Sequence, residues 1–179
     1  GLQDPDTTES FTVVRKHHPD GIILANLNGN ASIDDAKRAV DMVKADALQI
    51  HVNPAQELSM EEGDRDFTHI AHHIETIVSA LSVPVIGKEV GFGISRETAL
   101  RLYDLGVRYI DISGHGGSNF VEIENLRNPG VELTELHCWG IPTAYSLIQC
   151  RSIPKDDLHI IASGGVKTSL DVLKCLVIG

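Results

Sequence analysis

Aromatic residues are scarce in this chain, at 4% of its 179 residues, and cysteine occurs only three times. Cys138, Cys150 and Cys175 are odd in number and widely spaced, which argues against a disulfide framework and against a zinc site. We therefore expect reduced thiols that pack in the interior of a cytoplasmic protein. Since no apolar run approaches about 18 residues, we predict no transmembrane helix, and we expect no secretory leader.

Positive charge is also limited, because 15 Lys and Arg residues stand against 25 Asp and Glu residues, for a net charge of -10. A nucleic-acid-binding surface needs clustered Lys and Arg, so we predict no nucleic-acid partner. An anionic small molecule is not excluded, because one local cation or a metal ion can bind it. The hydrophobic content of 42% and the length suit a single domain, residues 1–179, with its own core.

Five short apolar segments are each followed by polar or glycine residues and then by a helical pattern. These segments predict β-strands at residues 21–27, 46–52, 83–89, 107–113 and 158–163. The regular alternation of strand and helix favours a parallel sheet. Buried parallel strands have no reason to carry polar groups at their carboxyl ends unless these groups face a ligand, as they do in a TIM barrel. The sequence therefore predicts a (β/α) barrel with a polar ligand at this edge.

The remaining segments predict helices before Pro19, after Ser32, over residues 66–81, after Ser95, after Trp139 and from about residue 168. Residues 54–66 are interpreted as a polar loop, and residues 121–138 as an irregular, mobile loop over the site. A complete (β/α)8 barrel takes ~250 residues. Because only five strand–helix units are present, we expect an incomplete barrel that is cut at both ends.

Two glycine-rich stretches follow predicted strands, namely residues 113–118 and the pair Gly164-Gly165. Glycines let backbone N–H groups approach an anion, and the N-terminus of a following helix adds a positive dipole. These stretches are therefore candidates for a phosphate site. The alternative is that the glycines only make tight turns.

Lys88 ends an apolar strand, where an ammonium group is costly to bury without an anionic partner. The adjacent carboxylate of Glu89 is one possible partner. The other is an electron-rich cofactor atom, such as the N1–C2=O edge of a flavin, which gains from a nearby cation once it is reduced.

His51, Asn53, Gln56 and Glu57 form the densest polar cluster, since the first two share a strand face and the others begin the next loop. One carboxylate, together with substrate phosphate oxygens and waters, is a normal magnesium site. The alternative is a loop of solvated polar groups that caps a helix. Three histidines lack metal-ligand companions and are interpreted as surface residues: His69, His72 and His73.

Five stretches closely resemble type 2 isopentenyl diphosphate isomerase: residues 48–58, 62–67, 84–95, 113–120 and 161–165. The resemblance covers essentially the whole chain in order. It implies a TIM barrel that interconverts isopentenyl and dimethylallyl diphosphate with reduced FMN and Mg²⁺, with NADPH as reductant of the flavin. It also implies a cytoplasmic homo-oligomer.

By position, the resemblance implies FMN contacts at Asn26, Lys88, Ser113, Ser118, Gly164 and Gly165, the two glycines forming part of the phosphate cradle. On the substrate side, Gln56 resembles a contact beside the reacting carbons, and Glu57 resembles the magnesium carboxylate. His51 and Asn53 resemble polar groups near the diphosphate.

Family segments that precede and follow this stretch are absent, so the chain resembles strands three to seven of the eight, and we expect it to bind flavin weakly or to be inactive alone. One alternative is another FMN barrel, an α-hydroxy-acid oxidase or dehydrogenase, whose Ser-Asn-His-Gly-Gly loop resembles residues 113–117. Such enzymes need a catalytic histidine and a substrate-binding arginine in a late loop, and we find no good match. A second alternative is a non-catalytic module built from a truncated barrel.

Overall fold

Five parallel strands form one sheet, in a computed structural model that describes residue 2, residues 4–128, residue 130 and residues 132–179. The strands are β1 (Leu24–Asn28), β2 (Ala47–His51), β3 (Val85–Lys88), β4 (Tyr109–Asp111) and β5 (His159–Ile161). All five predicted strands are confirmed. Each is shorter than the apolar run that predicted it, because only part of each run pairs with its neighbours.

Eight α-helices are found in the described residues. They are α1 (Thr8–His17), α2 (Ile33–Val43), α3 (Pro54–Ser59), α4 (Ile70–Ala80), α5 (Arg96–Asp104), α6 (Phe120–Arg127), α7 (Thr143–Arg151) and α8 (Ser169–Ile178). Short 3-10 helices span Pro5–Thr7 and Thr134–Leu136. None of the helices in the described part of the chain has both the length and the apolar character needed to cross a membrane.

The predicted helix starts at Ser32 and Ser95 are confirmed by their hydrogen bonds. Ser32 Oγ accepts from the N–H of Asp35 at 3.1 Å, and Ser95 Oγ accepts from the N–H of Thr98 at 3.2 Å. Gly106 follows α5 with a φ of +95°, the left-handed conformation that commonly ends a helix. Local capping chemistry was therefore a reliable guide to these boundaries.

Two loop predictions are wrong. The segment 54–66 begins with α3, whose first residue is Pro54, a favoured position for proline because the first helical N–H needs no partner. The segment 121–138 contains most of α6 and a 3-10 helix instead of an irregular loop, and its residues 129 and 131 lie outside the described residues. Both α3 and α6 are short, so their sequences contain no apolar repeat long enough to predict a helix.

The strand order β1-β2-β3-β4-β5 never reverses. A doubly wound sheet has a point at which the order reverses, whereas a barrel winds in one direction. Helices pack against one face of this sheet, where alternate strand residues enter the core: Ala25, Leu48, Ile50, Val85, Ile110 and Ile160. This arrangement is the winding of a TIM barrel.

The opposite face of the sheet is largely polar, and we call it the inner face. The register aligns Asn28, His51, Lys88, Asp111 and Ile161 across the five strands in one row. Because aligned residues of parallel strands project to the same side, these side chains share the inner face. The row lies at the carboxyl end of the sheet.

The cysteine prediction is correct for two of the three residues. All three thiols are free; Cys150 is buried and Cys175 is half-buried, but Cys138 is exposed and does not pack in the core. Burial raises the pKa of the Cys150 thiol to about 11, so it remains a protonated packing group at neutral pH.

Replacing the fully buried Leu48 with alanine should lower the free energy of unfolding by about 2–5 kcal/mol, because the substitution leaves a cavity beneath the helices. Urea unfolding followed by circular dichroism measures this change. Ile22→Ala is the matched control, since Ile22 is 83% exposed and its truncation should change stability by less than about 0.5 kcal/mol. Equal losses in the two variants would contradict the proposed core.

Candidate functional site

Lys88 is held by Asp111, its neighbour in the inner-face row. Lys88 Nζ lies 3.1 Å from Asp111 Oδ2, and the two side chains are 23% and 8% exposed. Glu89, the neighbour suggested by the sequence, forms no ion pair with Lys88. The reason is strand alternation, which turns residue 89 away from residue 88 and aligns Asp111 of β4 with Lys88 of β3.

Asp111 also accepts hydrogen bonds from two loops. Its Oδ1 accepts from the hydroxyl of Ser163 and, at 3.3 Å, from the N–H of Ser113. Sequence reasoning missed this residue because it lies within the fourth apolar run. A carboxylate in the middle of such a run was the available signal, since a buried carboxylate requires partners.

One pocket brings together five of the six residues expected to contact FMN: Lys88, Ser113, Ser118, Gly164 and Gly165. Lys167 also lines this pocket and was missed from the sequence. Its position two residues after the Gly-Gly pair was the signal that could have identified it. The sixth expected residue, Asn26, lies on β1 outside this pocket and interacts with His51 instead.

The two glycine stretches pack directly against each other. Gly164 and Gly165 have φ values of +100° and +71°, which side-chain-bearing residues rarely adopt. A Cβ atom on Gly164 would overlap the backbone of Gly114, and one on Gly165 would overlap the carbonyl of Gly116. The backbone conformation and the close contact between the loops therefore require glycine at these two positions.

The phosphate interpretation is compatible with the same geometry. Within the described residues, the N–H groups of Gly164 and Gly165 have no hydrogen-bond acceptor. Free backbone donors in a left-handed turn, with Lys88 and Lys167 on the same pocket wall, suit an anion. These glycines thus combine a packing role with an open pair of donors.

The N-termini of the two helices that follow the glycine stretches are partly capped by side chains of the chain itself. The first turn of α6 is capped by Asn119, whose Oδ1 accepts from the N–H of Glu122 at 3.2 Å. Thr168 and Asp171 form a reciprocal capping box at the start of α8. Each cap occupies one N–H group within the first turn of its helix, so the loop amides and the lysines add to what remains of these N-termini as partners for an anion in the pocket.

A second cluster lies along β1, β2 and α3. Asn26 Nδ2 lies 3.2 Å from His51 Nδ1, and Asn53 Nδ2 donates to Gln56 Oε1 at 2.7 Å. Burial lowers the pKa of His51, a direction that the nearby Lys88 reinforces and that the Glu57 carboxylate opposes. His51 is therefore a neutral imidazole at pH 7.

Gln56 is fixed at both ends of its amide. While Asn53 donates to its oxygen, its Nε2 donates to Glu124 Oε1 at 3.2 Å. Glu124 is 5% exposed and also accepts from Arg127 at 2.6 Å. The buried Glu124 carboxylate was missed because its segment was interpreted as a loop. It connects α6 to α3 and sets the orientation of the Gln56 amide.

Glu57 is half-buried beside the loop that follows α3. Its Oε2 accepts from the N–H of Asp64 at 3.0 Å, and Arg65 donates to the Glu57 carbonyl at 2.6 Å. No group of three or more His, Cys, Asp or Glu in the described residues is placed to hold a metal ion. Any ion at Glu57 would therefore need oxygens from a substrate or from water.

The histidines of α4 and the residue before it are mainly surface groups, as predicted. His69 and His72 are exposed, and His73 is half-buried. His69 Nε2 lies 3.7 Å from Asp66, in a pair that is open to solvent.

Glu89 occupies the other side of β3 from Lys88. Its Oε2 accepts the N–H groups of Phe92 at 2.5 Å and Gly93 at 3.1 Å, so the carboxylate closes the turn after the strand. Burial raises the pKa of Glu89 to about 7, and this effect outweighs the opposing hydrogen bonds and the Lys88 charge.

Comparison with known proteins gives consistent results. Residues 27–179 match the family described as FMN-dependent dehydrogenase. The chain is 52% identical over 178 residues to an isopentenyl-diphosphate delta-isomerase of Geobacillus sp. (strain WCH70), and the match covers 99% of this chain and 50% of that protein. The enzyme of the same name from Bacillus licheniformis is 51% identical over 179 residues, with the same shares covered. The chain thus spans about half the length of the curated relatives it matches.

Among solved structures, the crystal structure of inosine 5'-monophosphate dehydrogenase from Legionella pneumophila is similar in fold. The TM-score is 0.64 at 20% sequence identity, and the match covers 97% of this chain and 45% of that chain. At this identity the similarity concerns the fold alone. It confirms the TIM-barrel prediction, with this chain as an incomplete barrel.

Glu89→Gln should remove a pH dependence of stability. Glu89 has a pKa of about 7 in the folded chain against an ordinary value of 4.5. Protonated Glu89 therefore stabilises the fold fully below pH 4.5, and this contribution is lost as the pH rises to 7. The whole loss amounts to roughly 3–4 kcal/mol, since the shift is about 2.5 pKa units and one unit corresponds to ~1.4 kcal/mol. Urea unfolding at pH 5, 6, 7 and 8 should show a flatter profile for the variant.

Glu97→Gln is the control for this experiment, because Glu97 is exposed on α5. Its profile between pH 5 and 8 should match that of the unmodified chain. Parallel profiles for Glu89→Gln and the unmodified chain would refute the raised pKa.

Proposed function

Because the chain belongs to the FMN-dependent dehydrogenase family, we propose that it binds FMN between its two glycine loops and forms this half of an isopentenyl-diphosphate delta-isomerase. The observation that carries the proposal is the convergence of Lys88, Ser113, Ser118 and the Gly164-Gly165 pair on one pocket at the carboxyl edge. This edge is where TIM barrels bind their ligands. The relatives that are about half identical to the chain bear the isomerase name.

The residues of the pocket fit the two ends of FMN. The unpaired amides of Gly164 and Gly165, with Lys167, suit the phosphate. Lys88 suits the electron-rich edge of the ring, and the hydroxyls of Ser113 and Ser118 add neutral donors and acceptors. Asn26 would contact FMN from β1, across the inner face.

Moving the double bond of isopentenyl diphosphate into the allylic position requires a proton to be added at one carbon and removed from another, with no net redox change. Reduced FMN would supply acid/base chemistry when bound, with NADPH as its reductant. The protein residues then orient the substrate and exclude water. Gln56, held by Asn53 and Glu124, would lie beside the reacting carbons in one defined amide orientation.

The diphosphate would be bound on the β2–α3 side of the site. Glu57 would hold Mg²⁺ together with diphosphate oxygens and water, as magnesium sites with a single carboxylate commonly do. His51 and Asn53 would contact the diphosphate oxygens as neutral donors, because burial keeps the His51 imidazole uncharged at pH 7. Isopentenyl and dimethylallyl diphosphate are the proposed substrate and product.

We also propose a cytoplasmic homo-oligomer. Large apolar side chains are exposed on and near α6 and α7, including Leu126 at 78%, Tyr145 at 65% and Trp139 at 60%. A contact with a second copy of the chain would cover such exposed apolar side chains. Sedimentation velocity of the purified protein tests this part of the proposal.

The function is tested with a chimera in which this chain replaces the matching segment of the Geobacillus isomerase. With FMN, NADPH and Mg²⁺, the chimera should convert isopentenyl diphosphate into dimethylallyl diphosphate, whereas the isolated chain should bind FMN weakly and turn over little or no substrate. Product is measured by mass spectrometry, and FMN affinity by fluorescence quenching. Oxidation of 2-hydroxy acids without isomerisation would instead favour the α-hydroxy-acid oxidase alternative.

A matched pair of glycine variants locates the cofactor in the chimera. Gly164→Ala should weaken FMN binding at least about tenfold, because strain at a positive φ costs ~1–3 kcal/mol and the added methyl group meets Gly114. Gly130→Ala should leave the affinity unchanged, since its Cβ would meet, among the described residues, only Asn128 and at an ordinary distance. If both variants bind FMN equally, the pocket is not the flavin site.

Glu57→Gln in the chimera should raise the Mg²⁺ concentration needed for half-maximal activity by about tenfold and reduce turnover, because the only proposed carboxylate ligand is lost. Activity is measured across a Mg²⁺ titration at constant FMN. Glu61→Gln, a change at an exposed carboxylate of the same region, should leave the titration unchanged. An unaltered Mg²⁺ dependence of Glu57→Gln would remove Glu57 from this role.

A further inference from the structure

Asp111 lies at the junction of three parts of the pocket, and neither the sequence resemblance nor the comparisons give it a role. We propose that Asp111 is a positioning residue that partly neutralises Lys88 and couples this lysine to the loop that carries Gly164 and Gly165. The inference rests on the proposed FMN site.

The first step of the argument concerns charge. Asp111 Oδ2 is 3.1 Å from Lys88 Nζ, and the carboxylate side chain is only 8% exposed. A close ion pair with little solvent has a much weaker field at its surroundings than an unpaired ammonium group. The carboxylate of Asp111 therefore largely balances the positive charge that Lys88 presents to the pocket.

The second step concerns position. The other carboxylate oxygen of Asp111 accepts from the Ser163 hydroxyl and the Ser113 N–H. Ser163 immediately precedes Gly164. Ser113 has a φ of +35°, and its carbonyl accepts the N–H groups of Gly91 and Gly93 at 3.0 and 3.1 Å. Such a strained residue persists only where its surroundings hold it, and Asp111 is one of these supports.

The two oxygens of Asp111 thus have separable effects on a bound flavin. The Oδ2 contact reduces the stabilisation that Lys88 gives to negative charge on a reduced ring. The Oδ1 contacts hold the loop whose amides would bind the phosphate. One carboxylate therefore links the charge at the ring end of the pocket to the shape of its phosphate end.

Two variants separate these effects in the FMN-loaded chimera. Asp111→Asn removes the charge but retains a side-chain oxygen that accepts from Ser163 and Ser113. It should favour reduced over oxidised FMN by about tenfold, which corresponds to a midpoint potential ~30 mV more positive for a two-electron couple. Ser163→Ala keeps the Lys88 pair, so the midpoint potential should not change, while the affinity for oxidised FMN should fall about threefold to tenfold, as for the loss of one hydrogen bond.

Redox titration and equilibrium FMN binding give the two readouts. An unchanged or lower midpoint potential in Asp111→Asn, or the same potential shift in both variants, overturns the proposal. Unaltered FMN affinity in Ser163→Ala overturns its loop part. Asp111→Ser removes the same charge with a smaller side chain and takes the place of the amide variant if that variant does not fold.

A flavin-free measurement distinguishes failure of this inference from failure of the proposed function. In the chain without FMN, the rate at which Lys88 reacts with trinitrobenzenesulfonate at pH 9 is followed by peptide mass spectrometry. Asp111→Asn should accelerate the reaction about tenfold, as for the loss of one hydrogen bond to a charged group that holds the amine, while the rate at exposed Lys167 stays the same. If Lys88 reacts equally fast in both proteins, the pairing is overturned whether or not FMN binds.

Discussion

The parallel register of the sheet is the constraint on which the whole site depends. It places His51, Lys88 and Asp111 in one row and on one face, although long helical connections separate them in sequence. Because all five strands run parallel, the loops that follow them lie at the same edge of the sheet. A shift of one residue in any strand would turn its polar side chain into the helix-packed core. The apolar side chains that fill this core therefore also fix where the charges lie.

The parts of the structure that could be predicted from the sequence are those determined by local physics. Buried parallel strands are short continuous apolar runs, which can be seen in the sequence. The helix boundaries at Ser32, Ser95 and Gly106 depend only on local capping and backbone conformation, so they can be predicted without knowing the rest of the fold. The glycine stretches were also identifiable, because positive φ values restrict the choice of residue. These features sufficed for the fold and for most of the pocket wall.

The features that sequence reasoning missed depend on contacts between distant segments. The six-residue α3 and the eight-residue α6 are too short to be recognised by their apolar period. They are stabilised against each other, in part by the hydrogen bond from Gln56 to the buried Glu124. The partner of Lys88 was missed for a related reason, since only the register shows that residue 111 lies beside residue 88. Sequence proximity suggests Glu89 as the partner instead, but the side chain of Glu89 lies on the opposite side of β3 from Lys88.

The two interpretations of the glycine loops are complementary. Close packing between the loops explains why Gly114, Gly164 and Gly165 lack side chains, and this explanation needs no ligand. It does not explain why the Gly164 and Gly165 amides have no acceptor in the described residues, nor why Lys167 lines the same pocket of a chain with a net charge of -10. Tight turns alone would favour no particular charge on the surrounding side chains. The anion that we propose between the loops would account for the open donors and for the nearby positive charge together.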